Sequence, residues 1–300
     1  MGNLRHAEEG SGVVYGFLSR VLHFAELFQT DRFAFCWDSF TSRRRLMFPG
    51  YKMKKTTLGN EERAQLAEDM QQFDALRDWA IPNIGWRNVF IQAGYEADDL
   101  IAQMVRQQAY KETRTVLVSA DADLYQLLRP GVEMYNPCTR KLWSPMTLYS
   151  VYGISPSQWP ALKALAGCSS DAIPPCTRGV GMKTALKLLR GELSTSAKIA
   201  QDINTMQARA AYLRNLTLVT LPYPGTLPLA WNEFPPALHH AGLCKVSERY
   251  GLSSFIDIGS EVSWRWNTLI SGQPGPAQIT RGKRPPRPHV VLKDPRRKTT

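Results

Sequence analysis

Three short apolar segments, each followed by acidic residues, constrain the fold of this chain most strongly. They are "RFAFCW" (32–37), "RNVFIQ" (87–92) and "TVLVS" (115–119). Their length and apolar content predict buried β-strands, and helical patterns at 12–28, about 60–80 and after residue 96 alternate with them. Strands that alternate with helices predict an α/β fold with a mostly parallel sheet covered by helices on both faces.

Acidic residues stand at or just beyond the end of each predicted strand. They are Asp38 after the first strand, Glu96, Asp98 and Asp99 after the second, and Asp121 and Asp123 after the third. Because the carboxyl ends of parallel strands border the ligand crevice of an open sheet, we expect these side chains to converge. Crowded carboxylates repel one another unless a cation neutralises them. Hard oxygen ligands suit Mg²⁺ or Mn²⁺ better than Zn²⁺, so the pattern predicts a divalent metal site with water as the nucleophile.

Each of these acidic residues also has a purely structural interpretation. Asp and Glu in the first turn of a helix stabilise its dipole by about 0.3–1 kcal/mol, and "EADDLIAQMV" has the apolar stripe of a helix. Asp121 is equally suited to be an N-cap. Residue by residue, the sequence leaves both interpretations open.

Positive charge is concentrated at one end of the chain. Residues 281–300 carry eight Lys or Arg and one Asp, which is +7 of the formal net charge of +11. We expect a basic, Pro-rich tail at 271–300 that packs into no core. Such a tail either contacts a polyanion or only solubilises the chain.

Cysteine usage and hydropathy restrict the class of protein. The five cysteines are odd in number, scattered and without a CxxC pair, so a zinc site or a disulfide framework is not expected. No apolar run approaches the ~20 residues that a membrane helix needs. The sequence predicts a cytoplasmic protein with no membrane partner.

Four motifs in order carry a family resemblance. They are "FCWDS" (35–39), "GYEADDLIA" (94–102), "VSADADLYQLL" (118–128) and "AGCSSDAIPPCTRGVGMKTALKLL" (166–189). Together they resemble the bacterial and phage 5′ nucleases, a family that includes the 5′-nuclease domain of bacterial DNA polymerase I and the phage flap endonucleases. The resemblance implies a PIN-like core at 1–150, followed by a helical DNA-binding region at 151–270.

The same resemblance implies a reaction and its residues. The metal ligands it implies are Asp38, Glu96, Asp98, Asp99, Asp121, Asp123 and Asp171. All of these except Asp171, together with Lys52, are the implied catalytic residues. Two Mg²⁺ or Mn²⁺ ions would support phosphodiester hydrolysis near a 5′ end. The implied partners are flap, nicked or branched DNA and RNA-primed 5′ ends. The resemblance also implies a monomer that is associated with the nucleoid of a bacterium or of a phage-infected cell.

A basic segment at about 40–58 resembles the arch of that family, beneath or through which the 5′ strand passes. Its Lys and Arg side chains attract phosphates, and its aromatic rings can stack on bases. The implied DNA-binding residues are Arg43, Arg44, Arg45, Tyr51, Lys52, Lys54 and Lys55. The alternative is a solvated, mobile loop without a partner.

The segment 178–189, within a helical pair at about 156–190, resembles the helix–hairpin–helix of the family. Two glycines permit a tight turn and a close backbone approach to a phosphate. The implied DNA-binding residues are Arg178, Gly179, Gly181, Lys183 and Thr184. The resemblance also implies a K⁺ ion bound by backbone carbonyls.

Two departures from the family pattern favour an alternative function. Where the family reads Gly-Asp-x-x-Asp-Asn, this chain has Cys168 and Ala172, and a neutral thiol is a poor Mg²⁺ ligand. The family's first strand and its Asp also have no counterpart before residue 12, so we expect an unfilled position in the sheet. A DNA-binding relative with weakened catalysis is therefore an alternative, and a PIN-type RNase is a second one.

Overall fold

In the computed structural model, the described residues are 12–53, 59–108, 114–194, 197–272 and 288–293. The helices, in chain order, are α1 (Gly12–Phe28), α2 (Arg43–Met47), α3 (Asn60–Ala75), α4 (Ile81–Ile84), α5 (Ala97–Gln107), α6 (Pro145–Tyr152), α7 (Trp159–Ala166), α8 (Met182–Leu189), α9 (Lys198–Ile203), α10 (Met206–Val219), α11 (His240–Arg249) and α12 (Glu261–Ser271). The strands are β1 (Phe33–Cys36), β2 (Val89–Phe90), β3 (Thr115–Val118), β4 (Val132–Asn136), β5 (Lys141–Trp143) and β6 (His289–Lys293). The described strand pairings are parallel except that of β4 with β5, so the predicted α/β class is confirmed.

The first of two compact units consists of Met1–Trp37, Thr56–Phe90 and Ala230–Lys298. Its central strand is β1, which pairs in parallel with both β2 and β6. Helix α1 packs against α3 and α12. The Trp86 ring meets the rings of Phe35 and Trp266 edge-on, with centroids 5.6 and 6.2 Å apart. Aromatic rings thus fill the core of this unit, where each buries a large apolar area.

Strand β6 corrects the prediction of a tail that packs into no core. Its residues His289 to Leu292 are buried. The Val290 amide donates to the Arg32 carbonyl at 2.9 Å, and the Thr30 hydroxyl donates to the Pro288 carbonyl at 2.7 Å. The prediction failed because "VVL" (290–292) is apolar and contains two β-branched valines, which favours a strand despite its basic surroundings. Since β6 pairs with β1, the position beside β1 that the sequence left unfilled is occupied. The rest of the predicted tail, 273–287 and 294–300, lies outside the described residues.

The second compact unit consists of Asp38–Lys55, Ile91–Leu229 and Thr299–Thr300. Strand β3 pairs in parallel with β4, and β4 pairs in antiparallel fashion with β5. Helix α7 packs against α8 and α10. The buried Asn215 amide of α10 donates to the carbonyls of Ala164 and Pro174, at 3.0 and 2.8 Å. These bonds fix α7 and the turn that follows it. Both units draw on separate stretches of chain, and the predicted domain division at residue 150 stays a prediction.

Across the parts of the chain that the structure describes, no helix combines the length and the apolar character that membrane spanning requires.

Candidate metal centre

The predicted metal-binding carboxylates all lie in the second unit, and the structure brings them together. They are Asp38, Glu96, Asp98, Asp99, Asp121, Asp123 and Asp171. The charge of Asp38 acts on Glu96, and the charges of Asp121 and Asp171 act on Asp123. Glu96, Asp98 and Asp171 all act on the Lys52 ammonium. The site is therefore a continuous cluster of carboxylates with basic groups among them.

The first turn of α5 positions the acidic residues of "GYEADD". The Asp38 side chain accepts a hydrogen bond from the Ala97 amide at 2.8 Å, and the Glu96 amide donates to Asp99 at 3.0 Å. Free amides at a helix N-terminus attract negative charge, so this turn stabilises several carboxylates at once. Asp98 is buried in the same turn. The helix start therefore holds acidic residues that would otherwise repel one another.

Asp99 lies inside the protein, and hydrogen bonds engage both of its carboxylate oxygens. The Arg44 guanidinium donates to its two oxygens at 2.6 and 2.7 Å. Its oxygens also accept the amides of Glu96 and Tyr223, at 3.0 and 2.8 Å. Bonds to both oxygens give Asp99 a structural role in this structure, in line with the capping interpretation, and its predicted role as a metal ligand stays a prediction.

Arg44 likewise departs from its predicted place among exposed DNA-binding residues. The side chain is 3% exposed, and its Nε donates to the Leu218 carbonyl at 2.8 Å. Burial lowers the pKa of Arg44, but the bond to Asp99 and its charge raise it more, so the group stays charged. Arg44 therefore holds Asp99 and does not face a phosphate in this structure.

Glu96 connects the acidic cluster to the basic segment. Its Oε2 accepts hydrogen bonds from the Tyr51 hydroxyl at 3.0 Å and from Lys52 Nζ at 2.8 Å. Burial raises the pKa of Glu96 above its ordinary value, while Lys52 and Arg44 partly offset that effect. Burial and then the charge of Glu96 raise the pKa of Tyr51, so its hydroxyl remains a donor. Tyr51 is buried and cannot stack on a base in this structure, contrary to its predicted role.

The end of β3 positions Asp121 and Asp123. The Asp121 amide donates to the Ser119 hydroxyl at 3.0 Å, and the Asp121 carboxylate accepts the Asp123 amide at 3.0 Å. Asp121 is thus the N-cap of a short 3₁₀ turn. Burial raises the pKa of Asp123, while Lys163, with its Nζ 2.8 Å away, lowers it. Capping accounts for one oxygen of Asp121 and does not preclude a metal-binding role.

Cys168, Asp123 and Asp171 form a compact three-residue cluster. Their ligand atoms all lie within 4.8 Å of one another. The tight turn that carries Cys168 and Asp171 depends on Gly167, whose φ is +74° and where an added Cβ would lie 2.6 Å from the Ile173 carbonyl oxygen. Burial and then the charge of Asp171 raise the pKa of the Cys168 thiol. The cluster therefore offers two hard carboxylates and one neutral sulfur.

The chemistry of this donor set fits a divalent cation. Aspartate and glutamate oxygens are the ligands that Mg²⁺ and Mn²⁺ prefer. The residues that could hold such ions are Asp38, Glu96, Asp98, Asp121, Asp123 and Asp171. Lys52 Nζ lies 2.8 Å from Glu96 and 3.5 Å from Asp171, and Lys163 Nζ lies 2.8 Å from Asp123. Protein cations thus balance part of the negative charge.

The basic segment presents fewer cations than the sequence suggested. Arg43 and Arg45 are exposed, and the Arg43 guanidinium lies 5.0 Å from the centre of the Tyr95 ring. The Arg214 guanidinium carbon lies over the Phe48 ring, 4.9 Å from the ring centre. Lys54 and Lys55 lie outside the described residues. The described part of the segment therefore offers two exposed arginines, the partly exposed Lys52 and the aromatic rings of Phe40 and Phe48.

The predicted hairpin lies between α7 and α8. Gly179 adopts φ +84°, a conformation that favours glycine, and its carbonyl accepts the Thr184 hydroxyl at 3.3 Å. Gly181 precedes α8 directly, and an added Cβ there would meet nothing within 4 Å. Arg178 and Lys183 are exposed on either side of the turn. The turn thus presents open backbone and two basic side chains to solvent.

Lys163 is a charged residue of this cluster that the sequence analysis did not single out. It lies on α7, five residues before Cys168. Burial lowers its pKa, but Asp123 raises it more, so the ammonium stays charged. The only sequence signal was a lysine in the last turn of an apolar helix, a common position for a solvated side chain.

Sequence comparisons place the chain among known nucleases. A family model described as "5′-3′ exonuclease, N-terminal resolvase-like domain" matches residues 4–153. The thermostable DNA polymerase I of Thermus thermophilus is 34% identical over 161 residues, 52% of this chain and 19% of the relative. The 5′-3′ exonuclease of Bacillus subtilis is 32% identical over 198 residues, 64% of this chain and 63% of the relative. The chain thus matches less than two thirds of the length of either relative.

A solved structure supports the architecture. The bacteriophage T5 flap endonuclease, in a pseudo-enzyme–product complex with DNA and metal ions, matches with a TM-score of 0.58 at 18% identity. The match covers 89% of this chain and 93% of that one. At this level of identity the likeness establishes the fold, and the predicted PIN-like architecture is confirmed.

Proposed function

Because the chain belongs to the 5′-3′ exonuclease family, we propose that it is a metal-dependent 5′-3′ exonuclease or flap endonuclease that hydrolyses phosphodiester bonds in DNA. The observation that carries this proposal is the cluster of Asp123, Cys168 and Asp171, whose ligand atoms lie within 4.8 Å of one another. Glu96 and Lys52 adjoin it through the 3.5 Å contact of Lys52 with Asp171. Acidic ligands beside a protein cation suit metal-dependent phosphodiester hydrolysis.

Two Mg²⁺ or Mn²⁺ ions are the proposed cofactors. Asp121, Asp123 and Asp171 are suited to hold one, and Asp38, Glu96 and Asp98 the other. When bound, such ions supply Lewis acidity and lower the pKa of a coordinated water. The negative charge of the carboxylates would offset the repulsion between two dications. The first turn of α5 orients some of these carboxylates.

Lys52 is the proposed phosphate-positioning residue. Its ammonium lies between Glu96 and Asp171, at 2.8 and 3.5 Å, and its side chain is 18% exposed. Burial lowers the pKa of Lys52, but the two carboxylates raise it more, so it stays a cation. From this position it can donate to a phosphate oxygen as negative charge develops there. The Tyr51 hydroxyl donates to the same Glu96 oxygen as Lys52 does.

Exposed groups of the basic segment are proposed to grip the 5′ strand. Arg43 and Arg45 attract phosphates without regard to sequence. Phe48, stacked under Arg214, offers a ring that a base could join. Lys54 and Lys55 stay predicted contributors.

The hairpin between α7 and α8 is proposed to hold duplex DNA by its phosphates. Free amides at the start of α8, with Lys183 and Thr184 nearby, suit an anion. Carbonyls of the turn around Gly179 suit K⁺, which remains part of the proposal. Such contacts carry no base specificity. We therefore propose flap, nicked and branched duplexes as substrates, including those with RNA-primed 5′ ends. We also propose that the protein acts as a monomer in the cytoplasm.

A second candidate function is a DNA-binding relative with weakened catalysis. The observation that favours it is Cys168, which puts a neutral thiol where the metal cluster needs a third anion. This relative would bind branched DNA in a salt-sensitive manner without turning it over.

One assay separates the two functions. Purified full chain is incubated with 5′-labelled flap, nicked and single-stranded DNA across a titration of Mg²⁺ and Mn²⁺, with EDTA as the blank. The proposed function predicts metal-dependent cleavage of the flap or nicked duplex. Binding without cleavage at any metal concentration would favour the second candidate. Asp257→Asn, an exposed carboxylate in the first unit, is the matched control and should cleave like the wild type.

A further inference from the structure

Lys163 places an ammonium inside the acidic cluster of the second unit. The side chain projects from α7 and is 13% exposed. Its Nζ lies 2.8 Å from Asp123 Oδ1 and 3.5 Å from Cys168 Sγ. An ammonium is a compact cation with three donors, so it can replace part of what a metal ion offers to surrounding acceptors.

Two lysine ammonium groups contact the carboxylates around Cys168. Asp123 faces Lys163, and Asp171 faces Lys52, whose Nζ lies 3.5 Å from Asp171 Oδ1. Cys168 contributes no charge as a thiol, and its sulfur lies 3.6 Å from Asp171 Oδ2. Lys52 also contacts Glu96 at 2.8 Å, and the charge of Asp121 acts on Asp123 as well, so the two ammonium groups offset part of the negative charge of the cluster.

The contact with Asp123 also sets a limit on metal binding. A dication at Asp123 Oδ1 would lie within a few ångströms of the ammonium. Like charges at this separation in a partly buried site repel strongly. The ammonium and a divalent ion therefore compete for this oxygen.

We infer that Lys163 is a resident cation of the Asp123–Cys168–Asp171 cluster, a positioning residue that holds Asp123 without metal and competes with a divalent ion for its carboxylate. The inference rests on the proposed function, since it concerns the same site. It goes further by making ion entry conditional on the release of one lysine.

Mn²⁺ binding to the metal-free full chain tests this inference. Titration calorimetry compares the wild type with Lys163→Met, Lys163→Arg and the control Lys187→Met, an exposed lysine on α8. Lys163→Met should bind Mn²⁺ at least about tenfold more tightly, because a competing charge is gone. Lys163→Arg and Lys187→Met should match the wild type. Unchanged or weaker binding by a folded Lys163→Met would overturn the inference, since a merely structural lysine would give that result.

A measurement on the wild type keeps the test decisive if Lys163→Met does not fold. Competitive acetylation, read peptide by peptide, reports how available each lysine amine is. Saturating Mn²⁺ should increase the labelling of Lys163 relative to Lys187, because the ion displaces the Lys163 ammonium from Asp123. Equal or reduced labelling of Lys163 would contradict displacement. Neither measurement involves DNA cleavage, so a chain that cuts no substrate can still confirm or refute the role of Lys163.

Discussion

Arg44 and Asp99 form a buried, two-point ion pair, with nitrogen–oxygen distances of 2.6 and 2.7 Å. Asp99 is wholly buried and also accepts the amides of Glu96 and Tyr223. The pair therefore ties α2 to the first turn of α5, which carries the acidic residues of the candidate metal centre. It is a structural support of the site.

Removal of one partner of this pair should strongly destabilise the second unit. Arg44→Leu leaves Asp99 buried and uncompensated, at an expected cost of about 3–5 kcal/mol in the free energy of unfolding. The measurement is urea unfolding followed by tryptophan fluorescence. The double variant Arg44→Leu/Asp99→Leu should recover part of the loss. Arg43→Leu, the exposed neighbour, should change stability by no more than about 0.5 kcal/mol; equal losses for Arg43→Leu and Arg44→Leu would show that the buried pair has no special role.

Glu96 gives the metal-free protein a pH-dependent stability. Burial raises its pKa above the ordinary value of 4.5, so the folded state binds more protons than the unfolded state in that range. Stability should therefore fall as pH rises from about 4.5 through the raised pKa. Glu96→Gln does not ionise, so its stability relative to the wild type should grow over the same interval.

Urea unfolding in EDTA between pH 4.5 and 8 measures this difference. Glu248→Gln, an exposed glutamate on α11, is the matched control and should track the wild type at every pH. A Glu96→Gln variant that loses relative stability as pH rises would show that Glu96 is held in its charged form, opposite to the expected direction.

Cys168 should limit the affinity for Mg²⁺. Cys168→Asp replaces a neutral thiol by a hard, charged ligand, and should lower the Mg²⁺ concentration for half-maximal cleavage by about tenfold or more. Cys168→Ser keeps the site neutral and should resemble the wild type. If the Mg²⁺ requirement is the same in all three proteins, Cys168 does not contribute to metal binding.

Strand β6 should be essential to the first unit. Val291, 1% exposed, pairs with Ala34 in the centre of the strand, so Val291→Asp buries an unpaired carboxylate and should cost more than about 4 kcal/mol. Ile258→Asp, on an exposed side chain of the same unit, should change stability by about 0.5 kcal/mol or less. Thermal unfolding by circular dichroism measures both, and a Val291→Asp protein with wild-type stability would mean that β6 is dispensable.

The sequence predicted the elements whose signals are local. The apolar pattern of 12–28 corresponds to α1, and "RFAFCW" and "TVLVS" contain β1 and β3. The start of α5 was predictable because its acidic first turn is a local signal for capping. These elements bring the acidic residues of the site together.

The sequence did not predict the elements that depend on distant partners. Strand β5 has only three residues and needs β4 beside it. Strand β6 stands among basic and Pro-rich residues, and its partner β1 lies at the other end of the chain. A signal was nevertheless present, since "HVVLK" followed by Asp294 repeats the pattern of a short apolar strand ending in an acidic residue.

Within the site, residue type was predictable and burial was not. Arg43, Arg44 and Arg45 look alike in sequence, yet Arg44 alone of the three is buried, because it faces Asp99. Tyr51 is likewise buried, because its hydroxyl donates a hydrogen bond to Glu96. Lys163 became part of the site only through the turn that brings Cys168 and Asp123 to it. Such pairings are decided by tertiary packing, which no local pattern encodes.

Cleavage by Asp121→Asn shows whether the carboxylates of this site hold the ions that hydrolyse DNA. Asparagine keeps the N-cap of Asp121 but removes its charge, so the fold and the DNA-binding surface should persist. Single-turnover cleavage of a 5′-flap duplex in Mg²⁺ and fluorescence anisotropy of the same duplex in EDTA are measured side by side. We expect the cleavage rate to fall at least about a hundredfold with the DNA affinity unchanged, because a metal ligand is lost. A variant that cleaves the flap at the wild-type rate would contradict this expectation.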